Sequence, residues 1–416
     1  MKLKYDIPKE WKNVKLKNLV TKDIKNGYSP NCPEESNGSW ILSLGNLTEN
    51  GFDPSQAKPA PKEDNKVKDF LLETGDFLIS RSNTLDKVGR TMLFRGEIEN
   101  CSYPDLLMRF RVDETRVLNT FFEIYLRSSI VRKYIQSCAS GTSNTMVKIN
   151  KTVVEKIPVV LPPYPEQRAI ADLLSTWDKV IEKTERLIQT KGKRLNALYQ
   201  SYFRADSSTA KSWEPVKVGK FVTPRNEKAV PTEEQPLYSL TIENGVTEKT
   251  ERYNREFLVK DTGNKTYKVV HPGDIVFNPA NLRWGAIAKS AVDYRVVLSP
   301  IYEVLQIKDN AIDPDFLTHA LTCPRQIAIY ATKTEGTLIE RMAVKLDAFL
   351  LLKIRVPSSI SEQKEIAKTL SSAQHEIDLL KQLAEKYKIQ KRGLMQKMLT
   401  GEWRVKPEIV NQYMEA

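Results

Sequence analysis

Two stretches of the sequence, 196 residues apart, are identical at six of eleven positions. Residues 165–175 read PEQRAIADLLS, and residues 361–371 read SEQKEIAKTLS. The register continues without a gap as far as Gln200 in the first copy and Gln396 in the second. Internal similarity at one fixed offset is typical of a duplicated structural unit. The chain is therefore expected to contain two copies of one fold.

Shorter matches extend the repeat toward the start of each half. They are WKNVKL at 11–16 with WEPVKV at 213–218, GDFLI at 75–79 with GDIVF at 273–277, and SGT at 140–142 with EGT at 335–337. Each match is weak alone. Because all occur in the same order at nearly the same offset, they indicate a tandem duplication.

Each half reads as a globular block of about 150 residues followed by a long helix. Short runs rich in β-branched residues predict strands at 76–79, 157–161, 274–277 and 296–298. Longer periodic stretches predict one helix in each block, at 120–137 and 314–332. The predicted fold class is therefore α+β.

The stretches after each block carry an apolar repeat of 3.5 residues over five heptads, which is typical of a coiled coil. The alternative reading of one such stripe is an ordinary core helix, but two copies in register favour pairing with each other. The residues expected to form the seam are Ile170, Leu174, Trp177, Ile181, Leu195, Leu198, Ile366, Leu370, Ile377, Leu380 and Leu394. Proline-rich segments precede both helices, and Gly401 is a plausible C-terminal cap of the second.

Antiparallel pairing would place one block at each end of the helix pair and relate the halves by a pseudo-two-fold axis. The expected divisions are a first block at 1–160, a first helix at 161–206, a second block at 207–355, and a second helix with a C-terminal tail at 356–416. A helix of about 38 residues is roughly 57 Å long, or about 17 base pairs of DNA. If the blocks extend inward over the helices, the centres of the two DNA half-sites would lie about one helical turn apart, ~10 base pairs.

The composition favours a polyanionic partner and excludes several classes of protein. Lys and Arg number 64 against 52 Asp and Glu, a net charge of +12, which suits nucleic acid. No stretch approaches the ~20 apolar residues of a transmembrane helix, and the N-terminus lacks the apolar core of a signal peptide. The four cysteines and three histidines are isolated, so we expect a reduced cytoplasmic chain without disulfides or a metal site.

Catalytic and cofactor motifs are missing from the sequence. No Gly-x-Gly occurs, and nucleotide loops need closely spaced glycines for the backbone to approach phosphate. Residues 161–164 read LPPY, whereas DNA amino-methyltransferases have Asn or Asp at the first position to accept a hydrogen bond from the target amine. Leu161 cannot accept one. We therefore expect a non-catalytic binding subunit without a cofactor of its own.

The sequence resembles the specificity (S) subunit of type I restriction-modification systems over essentially its whole length. The resemblance rests on Pro-Pro-x-x-Glu-Gln-x-x-Ile-Ala at 162–171, its copy ending at 362–367, the long helix after each, and the repeated Gly-Asp and Trp-x-x-Val motifs. The second copy departs from the pattern, with SSIS at 358–361 where prolines are usual.

The resemblance implies two target recognition domains, each for one half of a bipartite double-stranded DNA target. It implies that the helices act as a spacer and as the dock for two modification (methyltransferase) subunits. Restriction subunits would join through the modification subunits, and S-adenosylmethionine, ATP and Mg²⁺ would be bound by those partners.

Base-reading residues are expected among polar side chains on loops. The candidates are Lys25, Asn26, Tyr28, Arg81, Asn83, Lys87, Arg90, Thr142, Ser143 and Asn144 in the first block, and Asn278, Asn281, Arg283, Trp284, Lys333, Thr337 and Arg341 in the second. For each one the alternative is a solvated surface side chain.

For the whole chain the alternatives are a coiled-coil scaffold with two protein-binding domains and a nucleic-acid enzyme with a cryptic site. Trp11 and Trp213 are expected to be core anchors.

Overall fold

The computed structural model describes residues 7–49, 51–141, 146–204, 213–248, 265–308, 310, 312–334 and 342–414. It divides into two compact units, one made of residues 1–183 and 384–416 and the other of residues 184–383. Each unit thus contains one globular block, part of the first long helix and part of the second.

The first unit is built around a four-stranded antiparallel sheet in the order β2-β9-β5-β7. Its strands are β1 Lys12–Lys15, β2 Val20–Asn26, β3 Trp40–Ile41, β4 Lys58–Pro59, β5 Phe77–Ser80, β6 Ser82–Asn83, β7 Thr91–Leu93, β8 Cys101–Ser102, β9 Leu107–Val112, β10 Val147–Lys148 and β11 Pro158–Leu161. Its helices are α1 Asn65–Lys68, α2 Asn119–Leu126, α3 Ser129–Cys138, α4 Lys151–Glu155 and the first part of α5 Tyr164–Phe203.

The second unit repeats this sheet with the order β13-β21-β18-β19. Its strands are β12 Glu214–Lys217, β13 Val222–Pro224, β14 Lys228–Ala229, β15 Tyr238–Thr241, β16 Gly245–Glu248, β17 Tyr267–Val270, β18 Ile275–Phe277, β19 Ile287–Lys289, β20 Val296–Leu298, β21 Glu303–Ile307 and β22 Lys353–Val356. Its helices are α6 Pro314–Thr322, α7 Pro324–Thr332, α8 Leu346–Leu351 and the first part of α9 Ile360–Thr400. A short helix, α10 Pro407–Asn411, follows α9 and belongs to the first unit.

Aromatic side chains fill the space between each sheet and the helices that cover it. Phe77 stacks on Phe110 at 5.5 Å between ring centroids, and Phe122 of α2 meets Phe77 edge-on at 5.4 Å. In the second unit Phe277 of β18 stacks on Phe349 of α8 at 4.4 Å. All five rings are buried. The α+β class predicted from the sequence is confirmed, and β5, β11, β18 and β20 fall where strands are expected.

The single helix predicted in each block is wrong, because both stretches contain two helices. In the first block α2 ends at Leu126, and the Ser128 side chain caps the start of α3 by accepting a hydrogen bond from the Val131 amide. In the second block Pro324 begins α7 and has no amide hydrogen to continue α6. Apolar periodicity runs across both breaks, so the pattern alone did not reveal them.

The two long helices pair in antiparallel fashion within each unit. In the first unit Ile170 and Leu174, near the start of α5, share a core with Met398 and Leu399 at the end of α9. In the second unit the relation is reversed, since Leu195 near the end of α5 shares a core with residues at the start of α9. Two helices that meet start to end in both units run in opposite directions, as the sequence analysis predicted.

The predicted seam residues differ in burial. Ile170, Leu174, Leu195, Ile366, Leu370 and Ile377 are buried, whereas Trp177, Ile181, Leu198, Leu380 and Leu394 are partly buried. Polar pairs lie among them. Lys391 forms an ion pair with Asp178 in the first unit, and Lys191 Nζ lies 2.6 Å from Glu376 Oε1 in the second.

The duplicated Glu-Gln pair anchors each long helix to the block that precedes it. The indole N–H of Trp11 donates to Glu166 at 2.9 Å, and that of Trp213 donates to Glu362 at 3.1 Å. Both tryptophans are buried, as expected of core anchors. In the first unit Arg404, beyond the end of α9, also donates to both Glu166 oxygens at 2.6 and 2.8 Å.

The glutamine of each pair satisfies backbone groups of its own block. Gln167 accepts from the Leu118 amide at 2.8 Å and donates to the Pro162 carbonyl at 3.0 Å. Gln363 accepts from the Asp313 amide at 2.8 Å and donates to the Pro357 carbonyl at 2.9 Å. Because buried backbone groups need such partners, the motif recurs in both copies for a structural reason.

In the second unit a half-buried histidine joins three helices. The Tyr199 hydroxyl of α5 lies 2.9 Å from Nδ1 of His319 on α6, and His319 Nε2 lies 2.9 Å from the Ser371 hydroxyl of α9. Burial is the main cause that lowers the pKa of His319 below 6.5. The neutral imidazole is therefore the form that the fold favours.

The unfolding free energy is expected to fall as the pH drops below 6.5, because the unfolded chain then binds a proton that folded His319 resists. One such proton changes the unfolding free energy by at most about 1.4 kcal/mol per pH unit. His319→Gln should remove this part of the slope in urea unfolding measured between pH 7.5 and 5, and His375→Gln, at an exposed position on α9, should retain it. Equal slopes in wild type and His319→Gln would contradict the prediction.

Candidate nucleic-acid interface

In the first unit the loop that follows β5 is joined to the segment that precedes α4. Strand β6, inside the loop, pairs with β10, so that Ser82 lies opposite Lys148 and Asn83 opposite Val147. The Ile149 amide donates to the Arg81 carbonyl at 2.9 Å, and the Ser82 hydroxyl donates to the Met146 sulfur at 3.1 Å. Two segments about 65 residues apart in sequence thus form one surface.

The second unit also joins the equivalent segments, through a backbone bond and a side-chain contact. The Val344 amide donates to the carbonyl of Pro279, in the loop that follows β18, at 3.0 Å. Arg283 in that loop donates to the sulfur of Met342 at 3.4 Å. Met342 follows Met146 by 196 residues, the period of the repeat. We call each pair of segments a loop pair; the loop pairs consist of residues 81–90 with 146–150 and residues 278–286 with 342–345.

In each unit a glycine at the end of the loop packs closely against a helix, α3 in the first unit and α7 in the second. Gly89 and Gly285 have positive φ angles of 74° and 90°. A Cβ atom on Gly89 would lie 2.6 Å from Cγ2 of Ile135 on α3, and one on Gly285 would lie 3.1 Å from Cδ1 of Ile327 on α7. Both the backbone conformation and the close approach therefore favour glycine.

Side chains of α3 hold the first loop in place. Arg132 donates to the carbonyls of Val88 and Asp86, the latter at 2.9 Å, and Gln136 donates to the Leu85 carbonyl at 3.3 Å. Burial is the main cause that lowers the pKa of Arg132, but the normal arginine pKa is so high that the guanidinium stays charged. These residues position the loop, and the sequence analysis missed them.

The four candidates in the first loop differ in availability. Lys87 is exposed and Arg81 is half-buried, and neither side chain has a hydrogen bond or ion pair with any residue described in the structure. Asn83 uses its side-chain oxygen to accept from the Thr84 amide at 2.9 Å. Arg90 donates to the Leu47 carbonyl at 3.4 Å. Arg81 and Lys87 are thus the more available of these four candidates.

Lys25, Asn26 and Tyr28 lie beside this loop. The Gly27 amide donates to the Leu107 carbonyl and the Arg81 amide to the Leu106 carbonyl, so one segment holds both regions. Lys25 Nζ lies 4.3 Å from the centre of the Phe70 ring, and Lys66 Nζ lies 4.2 Å from that of Tyr28. A hydrogen bond with Asp64 is the main cause that raises the pKa of Tyr28.

In the second unit the candidates surround a short 3-10 turn at Leu282–Trp284. The Trp284 side chain is 57% exposed, and the guanidinium carbon of Arg283 lies 4.1 Å from the centre of its ring. Asn281 is exposed, whereas Asn278 accepts from the Ala280 amide at 3.0 Å and so stabilises the turn. Lys333 is exposed directly after α7, the helix that packs against Gly285.

Five candidates lie outside the described residues. They are Thr142, Ser143, Asn144, Thr337 and Arg341. Within the described part of the chain, no group of three His, Cys, Asp or Glu side chains is arranged to hold a metal ion. No helix in that part is long and apolar enough to span a membrane.

Comparison with known proteins finds similarity to type I specificity subunits. Residues 8–190 match the family described as type I restriction modification DNA specificity domain. The putative type I restriction enzyme MjaX specificity subunit of Methanocaldococcus jannaschii is 22% identical over 422 residues, which cover 96% of this chain and 95% of that protein. The chain is therefore similar to type I specificity subunits over nearly its whole length.

Further specificity subunits resemble the chain in sequence and in fold. The type I restriction enzyme MjaVIII specificity subunit of the same organism is 26% identical, over 70% of this chain and 71% of that protein. The crystal structure of the S subunit from M. genitalium covers 96% of this chain and 98% of its own, with a TM-score of 0.57 at 16% identity. A subunit from a study of type I complex assembly matches with a TM-score of 0.59 at 14% identity. These two likenesses concern the fold alone.

Proposed function

We propose that each unit of this specificity subunit reads one half of a bipartite DNA target through its loop pair. The observation that carries the proposal is that both units join the same two segments at equivalent places but present different side chains there. Equivalent scaffolds with different loop side chains suit two DNA half-sites of unlike sequence, since base edges are read by loop side chains while the scaffold sets their position.

The polar side chains of the loops suit the chemistry of base edges and phosphates. Arginine pairs with the two acceptors of guanine, and asparagine pairs with the donor and acceptor of adenine. For these roles the first loop offers Arg81 and Asn83, and the second offers Arg283 and Asn281. Lys87 and Lys333 are exposed cations that suit phosphate oxygens.

We propose that the long helices set the unspecified gap between the half-sites and dock two modification subunits. Helices α5 and α9 have 40 and 41 residues, each about 60 Å of continuous helix. Antiparallel pairing in both units supports their use as one stiff element. Restriction subunits would join through the modification subunits, and those partners would supply catalysis and its cofactors in the cytoplasm.

Exchange of one block tests this division of labour. Replacing residues 1–160 by the corresponding block of another specificity subunit is expected to change one half of the target and leave the other half and the gap unchanged. The methylated sequence can be read by sequencing DNA from cells that make the exchanged chain with its modification subunit. A change in both halves, or in neither, would contradict the proposal.

A further inference from the structure

The two units have different residues at one equivalent contact between the paired helices α5 and α9. In the first unit Trp177 of α5 meets Tyr387 of α9 edge-on, with ring centroids 5.9 Å apart. The repeat of 196 residues places Ala373 at the position equivalent to Trp177, and Lys191 at the position equivalent to Tyr387. The second unit therefore has a methyl group and a cation where the first has two aromatic rings.

A cavity of about 230 Å³ opens at this step in the second unit. It lies between Lys191, Arg194 and Leu198 of α5 and Thr369, Ala373 and Glu376 of α9. Cavities that bind small molecules usually measure about 300–1,000 Å³, whereas a cavity of about 150 Å³ accepts a benzene ring. The size therefore suits a single aromatic side chain rather than a nucleotide or another cofactor.

The lining of the cavity suits a ring that enters from outside. Leu198 and Ala373 provide apolar surface, and Lys191 is already paired with Glu376 at 2.6 Å. Arg194 is exposed, and no hydrogen bond or ion pair connects it to the residues that the structure describes. A guanidinium beside an aromatic face is attracted by the negative face of the ring.

We propose that this cavity, which we call the socket, receives an aromatic side chain of a modification subunit. The first unit supports this choice of occupant, because an indole at the equivalent position fits between the same two helices there. The inference rests on the proposed docking of modification subunits on the helices. Since the step that forms the socket differs between the units, the two docking positions differ chemically, and the two modification subunits bind with unequal affinity.

Ala373→Trp tests the socket, because it places in the second unit the indole that the first unit already has. The variant is expected to weaken one of the two docking events at least tenfold and leave the other at its wild-type affinity. Titration calorimetry with the purified cognate modification subunit gives the two affinities, and native mass spectrometry gives the number of subunits bound. Thermal unfolding of the variant should occur at or above the wild-type temperature.

Gln382→Trp is the matched control, since it adds the same side chain to an exposed position of α9 and should leave both affinities unchanged. Wild-type affinities in a folded Ala373→Trp chain, or an equal loss in Gln382→Trp, would overturn the proposal. A second measurement uses 5-fluoroindole and fluorine NMR on the wild-type chain alone. If the wild-type chain binds fluoroindole and Ala373→Trp does not, the socket is supported. If no modification subunit docks in that case, only the proposed docking is refuted. If the wild-type chain does not bind fluoroindole, the socket is overturned.

Discussion

A chain with one extra heptad in each long helix is expected to recognise the same two half-sites separated by a longer gap. Seven residues add about 10 Å to a helix, which corresponds to about three base pairs at ~3.4 Å per step. Residues 183 and 382 suit the insertions, because they lie six residues after Trp177 and five residues before Tyr387, which meet in the first unit. Selection from duplex libraries with variable gaps measures the change.

The control for this experiment inserts the heptad into α5 alone. Helix α5 would then have one more heptad than α9, so the apolar positions of the two helices would no longer match along their whole length. Leu195 and Ile366 could then no longer share a core with their present neighbours. We expect loss of stable folding or of specific binding in that variant. If the double insertion altered the bases within either half-site, or left the gap unchanged, the helices would not set the gap.

The second large effect is expected from Arg81→Ala. Its half-buried guanidinium lies in the first loop pair without a partner among the described residues, so the structure does not require it for folding. Loss of a bidentate contact to guanine would cost about 1–3 kcal/mol and relax the preference at one base pair. Affinities for duplexes with each base substituted in turn would show the change confined to one half-site.

Lys87→Ala and Asn281→Ala are the controls for this result. Lys87 is exposed and suits a phosphate, so its loss should weaken binding equally for all sequences and reduce the salt slope by about one. Asn281 belongs to the loop pair of the second unit, so its loss should relax the other half-site. Arg81→Ala would refute the assignment if it weakened binding uniformly, as a phosphate contact does.

The paired helices were the most predictable part of the fold. A 3.5-residue apolar period repeated in two copies determines which face of each helix is buried, and Gly401 ends α9 with a φ of 77° as a C-terminal glycine should. The break between α2 and α3 was not predictable in the same way. Ser128 acts there as a cap, but an isolated serine within an apolar periodic stretch does not distinguish a cap from a surface position.

The loops were predictable as regions, but the roles of individual side chains were not. Asn278 and Arg90 are polar loop residues like the others, yet Asn278 stabilises its own turn and Arg90 donates to the distant Leu47 carbonyl. Arg132 and Gln136 lie on a helix, so composition gave no reason to connect them with the loop that they hold. Met146 and Met342 could have been found, because they recur at the period of the repeat.

The repeated Gly-Asp motif shows why similar sequences conceal different contacts. Asp76 and Asp274 are both buried and both accept from an arginine Nε at 2.7 Å. The arginine is Arg111 of β9 in the first unit but Arg225, directly after β13, in the second. A buried carboxylate needs a cation, and two neighbouring strands can supply it, so the repeat identifies the aspartate but not its partner.

Selection of bound duplexes from a fully randomised DNA library, with the purified chain and its modification subunit, tests the central claim most directly. We predict one enriched sequence made of two specified parts with a gap of fixed length between them, and an affinity that falls steeply as salt concentration rises. Enrichment of no sequence, or of a single uninterrupted half-site that needs only one unit, would contradict the claim that two readers share one chain.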